Sequence, residues 1–459
     1  MIRSIFGLRR RNRLTVAAGV ILVIISYQQY FLPCRHNIVS QSQKAVVPPC
    51  PLSPLAHEIL LVVRTGVTEA LSKLPVHFNT TFQCIPDYII YSDYSEVIEN
   101  HQIYDVLDEV SESLKNSTPE FRLYEHFLTH GRADLDSTLH LGSGPSGSLD
   151  NPAWKLDRFK FLPMVDKALR HRPNAKWFVF IEADTYLVWQ NLLQYLDQFD
   201  ASKDFYIGKH MFIGDVLFAH GGSGFIISNP AMRKVTERRN TNLAEYDEYT
   251  ASSWAGDMVL GKALKDVDIP LFWAWPHFQG DPISSLDQNV AKVERKPWCY
   301  APITYHHMHS EEIHDLWLFE QTRQLQGPSE LLHRDMFKEY ILPKLVPRIE
   351  NWDNLCMDPT PNVQDSREKC HRACETDGSC LQYSYAGGRC SKSSAVRYGN
   401  QANSQCLEYS VAASKCVRWQ DEIYGGGGIQ SGWMVERLAR YVEDMDRECH
   451  GEVHDAWVI

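Results

Sequence analysis

The sequence predicts an α/β fold built on a mostly parallel sheet, and three observations lead to that expectation. Short apolar runs, Tyr88-Ile89-Ile90-Tyr91 and Trp177-Phe178-Val179-Phe180-Ile181, have the length and composition of buried strands. Stretches with helical apolar spacing, Ile59 to Leu74 and Phe159 to Leu169, alternate with them. Strands alternating with helices form parallel sheets, whose ligands lie at the carboxyl ends of the strands. The strongest strand leads into Glu182-Ala183-Asp184, which puts two acids at such an end.

Along the chain, Arg3, Arg9, Arg10, Arg11 and Arg13 precede an apolar stretch from Leu14 to Leu32. As a helix this stretch spans roughly 28 Å, enough for a thin bilayer. The basic flank stays cytosolic by the positive-inside rule, which puts the rest of the chain in a lumen. The expected organisation is a cytosolic tail over 1–13, a signal-anchor helix over 14–32 and a stem over 33–54. The other reading is a cleaved signal peptide, but Ser26 to Gln29 offers no small-x-small cleavage site. Asn79-Thr80-Thr81 and Asn116-Ser117-Thr118 are glycosylation acceptors consistent with a lumen. The α/β domain then occupies 55–349, with Gly131 to Asn151 as a Gly/Ser-rich surface loop.

Composition changes near residue 350. Of twelve cysteines, eight fall between Cys356 and Cys449, and such density implies disulfides and an oxidising compartment. Residues 350–416 read as a small module held by Cys356, Cys370, Cys374, Cys380, Cys390 and Cys406, because little apolar sequence is present to make a core there. No Cys-x2-Cys pair points to zinc. A tail over 417–459 carries Gly425 to Gly428 and an amphipathic helix from Trp433 to Asp446. The net charge of −11 argues against a nucleic-acid partner.

Chemistry concentrates in four places. Glu182 and Asp184, at i and i+2 of a strand, share a face and could approach one hard cation, Mn²⁺ or Mg²⁺; Asp184 could equally cap a turn. Gly221-Gly222-Ser223-Gly224 permits close backbone approach before the strand Phe225 to Ser228, or is a tight structural turn. Asp257 opens an apolar helix, as a cap or as a base. Thr304 to His309 offers imidazoles at the end of a short strand. Lys155, Arg158 and Lys160 form a basic cluster, and Trp254, Trp273 and Trp275 are flat faces suited to a sugar or to the core.

Together Glu182-Ala183-Asp184-Thr185-Tyr186, Gly221-Gly222-Ser223-Gly224-Phe225, Gly256-Asp257-Met258-Val259-Leu260-Gly261 and His306-His307 resemble the family 31 inverting glycosyltransferases. The likeness is to the core 1 β-1,3-galactosyltransferase and Fringe branch in its fungal form. It implies a GT-A fold, a UDP-sugar donor bound through Mn²⁺ or Mg²⁺, a glycan or glycoprotein acceptor, and a single-pass type II Golgi protein. On this resemblance Asp184, Glu182 and His306 hold the metal, with His307 as alternate, and Asp257 is the catalytic base. Ala183 departs from the family by lacking a carboxylate. Asp93, Lys155, Arg158, Glu182, Gly222 and Gly224 fall on the donor side, and Trp254 and Trp273 on the acceptor side. The spacing Cys370-x3-Cys374-x5-Cys380-x9-Cys390 resembles a PAN/apple module. The alternative function is a catalytically inactive, lectin-like membrane protein that binds glycans.

Overall fold

Ile59-Leu60-Leu61-Val62-Val63 has no polar residue on either face, and in the computed structural model it forms the inner strand around which the main sheet is laid down. The structure describes residues 50–132, 152–325, 330–356, 358–359, 366–402, 406–410, 415–419, 428–450 and 456–459. The strands are β1 (Ile59–Arg64), β2 (Tyr88–Ser92), β3 (Glu96–Ile98), β4 (His101–Asp105) and β5 (Trp177–Glu182). They continue with β6 (Tyr186–Leu187), β7 (Tyr206–Gly208), β8 (His210–Ile213), β9 (Val216–Ala219), β10 (Phe225–Ser228), β11 (Leu271–Trp273) and β12 (Thr304–Tyr305).

The helix expected over Ile59 to Leu74 is therefore corrected. Its first six residues are strand β1, and only the short helix Ala70–Lys73 follows. Leu60 and Val62 enter one apolar layer while Ile59, Leu61 and Val63 enter the layer on the other face. A strand buried on both faces reads as a continuous apolar run, with no alternation to separate it from a buried helix. The other expected strands and helices at Tyr88, Phe159, Trp177 and Phe225 form, within a few residues of the expected limits.

The main sheet has eight strands in the order β11-β7-β10-β5-β1-β2-β4-β3. β5, β1, β2 and β4 are mutually parallel, and β10 and β3 run against them. The carboxyl ends of β1, β2, β5, β7 and β11 therefore share one edge with the start of β10. Arg64, Asp93, Glu182, Lys209, Trp273 and the Gly221–Gly224 turn all lie along it. This mixed α/β sheet, covered on both faces, is a GT-A architecture.

Cys50 is disulfide-bonded to Cys84, and Pro54–Glu58 forms a 3₁₀ turn leading into β1, so the last residues of the expected stem are fastened to this domain. The signal-anchor stretch 14–32 and the loop 133–151 lie outside the described residues. Among the described residues no helix is long and apolar enough to cross a membrane.

In the C-terminal region, Gln382–Ala386 pairs with Arg389–Ser393 on one side and with Ile429–Trp433 on the other. Trp433, expected in the final helix, is thus a strand residue, and the helix runs over Val435–His450. Disulfides Cys370–Cys390 and Cys374–Cys380 tie the helix Arg367–Thr376 to this sheet. Cys356 is buried, and Cys406 lies where side chains are outside the described residues. The final helix returns to the α/β domain, where Leu438, Tyr441 and Met445 join a core with Trp298 and Phe337. Cys299–Cys449 closes this return across 150 residues.

Replacing Cys299 and Cys449 by alanine is expected to cost about 2–5 kcal/mol, because a crosslink over so long a loop restricts the unfolded chain strongly. Chemical denaturation of the full chain checks this; an unchanged midpoint would show that apolar packing alone secures the helix.

Candidate active site

The site is assembled from strand ends. β5 brings Glu182 to the shared edge, and the chain turns at Ala183 to present Asp184, which is buried. β6 pairs antiparallel with β12, Tyr186 opposite Tyr305, which carries His306 back over Asp184. His306 Nε2 lies 3.2 Å from Asp184 Oδ1 and 3.4 Å from Glu182 Oε2. His307 Nδ1 lies 3.8 Å from Asp184 Oδ2.

Two consecutive residues of an extended strand point to opposite faces. Here His307 has φ of 56°, in the left-handed region, which turns its ring under that of His306 with centroids 3.7 Å apart. A bulky side chain in that region costs about 1–3 kcal/mol and persists where surrounding structure enforces it. The result is that both imidazoles reach one carboxylate. Asp184, His306 and His307 offer ligand atoms within 4.8 Å of one another. Asp184 Oδ1 and both ring nitrogens of His306 are buried and make no aligned hydrogen bond. Buried polar atoms without partners, in a set of two imidazoles and a carboxylate, fit a divalent ion such as Mn²⁺.

Glu182 stands beside this set rather than in it. Its Oε1 is paired with Arg64, which also pairs with Asp157. Burial alone would raise the Glu182 pKa, but Arg64 and His306 outweigh it and hold it at about 2. For His306 burial is again opposed, and the two carboxylates raise the imidazole to about 9. Lys73 Nζ lies 2.9 Å from Asp184 Oδ2 and 2.7 Å from Glu69 Oε2, a cation at the site that sequence reasoning missed. Arg64 was hidden by the reading of β1 as a helix, although a lone charge ending an apolar strand is a visible signal.

The Gly221–Gly224 turn lies between the candidate metal set and Asp257. Gly221 N–H donates to Asp257 Oδ2 at 2.8 Å, and Met258 N–H donates to Asp257 Oδ1 at 2.9 Å. Burial pushes the Asp257 carboxyl up to about 6, against those two donors and Arg64. On the next residue, a Cβ at Gly222 would lie 2.1 Å from His306 Cε1. Gly222 is glycine because the histidine ring fills its side-chain space, and Gly224, with φ of 81°, packs on Phe180 O. Both therefore face protein atoms, although they were expected around the donor. Thr185 Oγ1 donates to Gly222 O at 2.8 Å and Thr304 Oγ1 to Ser223 O at 2.5 Å, fixing the turn from both strands.

On the β2 side, buried Asp93 accepts from Val67 N–H at 2.7 Å and lies 3.1 Å from Lys160 Nζ. Of the basic cluster, Lys160 is thus the residue inside the site. Arg158 pairs with Glu120 at 3.1 Å instead, and Lys155 forms no ion pair among the described residues. Trp254 is 53% exposed and Trp273 is 37% exposed, whereas Trp275 is core. Trp254 stacks on Trp154 at 6.2 Å, and Trp273 on His210 at 4.5 Å. Asn79 and Asn116 are both exposed.

The fold and site define an α/β domain of GT-A type with a candidate metal set, Asp184, His306 and His307, beside the buried Asp257. Residues 155–314, about a third of the chain, match the family model described as Fringe-like. The match contains Glu182, Asp184, the glycine turn, Asp257, His306 and His307, and it supports a glycosyltransferase of the family 31 kind.

Gly222→Ala should displace the His306 ring and weaken Mn²⁺ binding by about 10–100-fold, the scale seen when a ligand loses its support. Electron paramagnetic resonance titration of Mn²⁺ measures this, and unaltered affinity would remove His306 from the ligand set.

Proposed function

We propose that this protein is a metal-dependent inverting hexosyltransferase that moves a sugar, galactose on the strength of the resemblance, from UDP to a glycan or glycoprotein hydroxyl in β-1,3 linkage. The observation that carries the reading is the placement of Asp257 and His306 against adjacent glycines of one turn. Base and metal ligand are thereby held by the same four residues. A bound Mn²⁺ or Mg²⁺ would supply positive charge against the diphosphate.

The chain's own residues do the rest. Asp184, His306 and His307 would hold the ion, with Glu182 3.4 Å from His306 Nε2 and Arg64 neutralising Glu182. Asp257 takes the acceptor hydroxyl proton as that oxygen attacks the anomeric carbon and the bond to UDP breaks with inversion. Neighbouring acids are otherwise engaged: Asp247 accepts from Ser111 Oγ at 2.7 Å and Glu245 pairs with Arg238 at 3.1 Å. The arginines before Leu14 and the apolar stretch behind them support a single-pass type II Golgi placement. The disulfide-bonded C-terminal region, read as PAN/apple-like, would contribute to acceptor selection.

Asp257→Asn keeps size and one of the two accepted N–H bonds, with its amide nitrogen facing the other donor, and it cannot take a proton. It should fold and bind UDP as the parent does, while transfer falls by about 10²–10⁴-fold. Near-parental turnover would place the base elsewhere. A catalytically inactive glycan-binding protein would show no transfer in either form.

The pH profile provides a second test. Asp257 must be ionised to act, and its carboxyl is raised to about 6, so kcat/KM should fall below about pH 6 and level off above it. A profile flat from pH 5 to 8 would show that another group, or none, accepts the proton. Chelation should abolish transfer and added Mn²⁺ restore it.

A further inference from the structure

The carboxyl edge of the sheet is electrostatically divided. At β1, β2 and β5 every cation in the site is paired: Arg64 with Glu182 and Asp157, Lys73 with Asp184, Lys160 with Asp93. At the β7 and β11 end the cations stand otherwise. Lys209 follows β7, and a Cβ at Gly280 would lie 2.3 Å from its Nζ and 3.3 Å from Ser223 Oγ. Lys292 lies over the Trp275 ring at 6.0 Å. Arg295 donates to Trp273 O at 3.2 Å and Trp275 O at 3.1 Å. None of these three forms an ion pair with a carboxylate among the described residues. Asp281, the acid acting most on Lys209, is exposed and makes no ion pair with it.

Two of the three cations adjoin the Trp273–His210 stack directly, Lys209 as the residue before His210 and Arg295 through its bond to the Trp273 carbonyl. His210, stacked on Trp273 at 4.5 Å, has its imidazole pKa lowered by burial and then by Lys209, Lys292 and Arg295 together. Trp273 and Phe212 remain 37% and 56% exposed beside them, with ring centroids 6.1 Å apart. In a chain of net charge −11, unpaired positive charge next to an open aromatic face stands out. A partly buried lysine without a counter-ion is costly and is tolerated where a ligand brings the charge. An aromatic face with adjacent cations suits a sugar ring that carries an anion.

We propose that Lys209, Lys292 and Arg295, with the Trp273–His210 stack, form an acceptor-side subsite for an anionic saccharide, whose carboxylate or sulfate meets the cations while its ring lies on Trp273. The subsite stands at the opposite end of the edge from Asp93. Its role as acceptor site rests on the glycosyltransferase reading; its affinity for an acidic sugar does not. The other source of an anion is the donor diphosphate, which the experiment separates.

The full chain, in detergent and low salt, is titrated by NMR with methyl β-glucuronide and methyl galactoside 3-sulfate, each against its neutral parent, and separately with UDP. Acidic sugars should bind about tenfold or more tightly than neutral ones, the worth of one charge-assisted hydrogen bond. Lys209→Gln should abolish that preference and leave UDP affinity unchanged. Lys292→Gln, at an exposed position, should reduce the preference several-fold and guards against loss of folding at Lys209. Equal binding of acidic and neutral sugars would overturn the proposal. So would a loss of UDP affinity in Lys209→Gln with the sugar preference intact, which would assign the lysine to the diphosphate. Parent protein that prefers acidic sugars but does not bind UDP would support the subsite and sink the glycosyltransferase reading instead.

Discussion

The parallel pairing of β1 with β5 is the constraint on which the site depends. Its register runs unbroken from Ile59 opposite Trp177 to Arg64 opposite Glu182. Five apolar pairs, buried on both faces, therefore deliver one arginine and one glutamate side by side at the edge. A slip of one residue would send Arg64 into an apolar layer, and burial of an unpaired guanidinium opposes that strongly. The hydrophobic register and the charge pair enforce each other. Once Glu182 is neutralised by Arg64, Asp184 is left as the carboxylate that two imidazoles can share.

The histidines show how local strain and tertiary packing combine. His307 in a left-handed conformation would be unfavourable in isolation. It is held because Met308 N–H donates to Asp184 O at 2.9 Å immediately after it, and because Tyr305 is paired with Tyr186 immediately before it. The glycine turn is bound on the opposite side through Thr185 and Thr304. The segment after β5, β12 and the turn thus share hydrogen bonds, which tie Asp184, His306 and Asp257 to one another.

Much of this was legible in sequence where residue type alone dictates structure. Trp177 to Ile181 has strand composition and ends in acids, and Gly221–Gly224 can only be a turn or a close approach. What could not be read required distant partners. Arg64 was obscured because a doubly buried strand has no period to distinguish it from a helix. Lys73 comes within reach of Asp184, 111 positions away in sequence, only when the sheet forms. Arg158 and Lys160 are near neighbours in sequence, yet one faces Glu120 and the other Asp93, a choice made by the helix start at Phe161. His307 stood as the alternate to His306 on the resemblance alone, and a regular strand would not present both rings to one ion. A positive φ at a non-glycine residue is not visible in composition.

The segment leading to His306 also draws support from residues 456–459. Ala301 N–H donates to Ala456 O at 3.0 Å, and Val458 N–H donates to His277 Nε2 at 2.9 Å. His277 in turn meets Ala301 O through Nδ1 at 2.6 Å, and its carbonyl accepts from Ile303 N–H at 2.7 Å. Trp457 packs against Tyr195 and His277. Residues 301–304 are therefore gripped on one side by Ala456–Val458 and enter β12 on the other. Two parts of the chain that follow the disulfide-rich sheet return to the α/β domain, one through Cys299–Cys449 and one through this grip. A module appended by a flexible linker would leave β12 indifferent to it. Here the C-terminal helix and residues 456–459 both contact the α/β domain, so the segment that enters β12 and carries His306 is supported by parts of the chain that follow the C-terminal sheet.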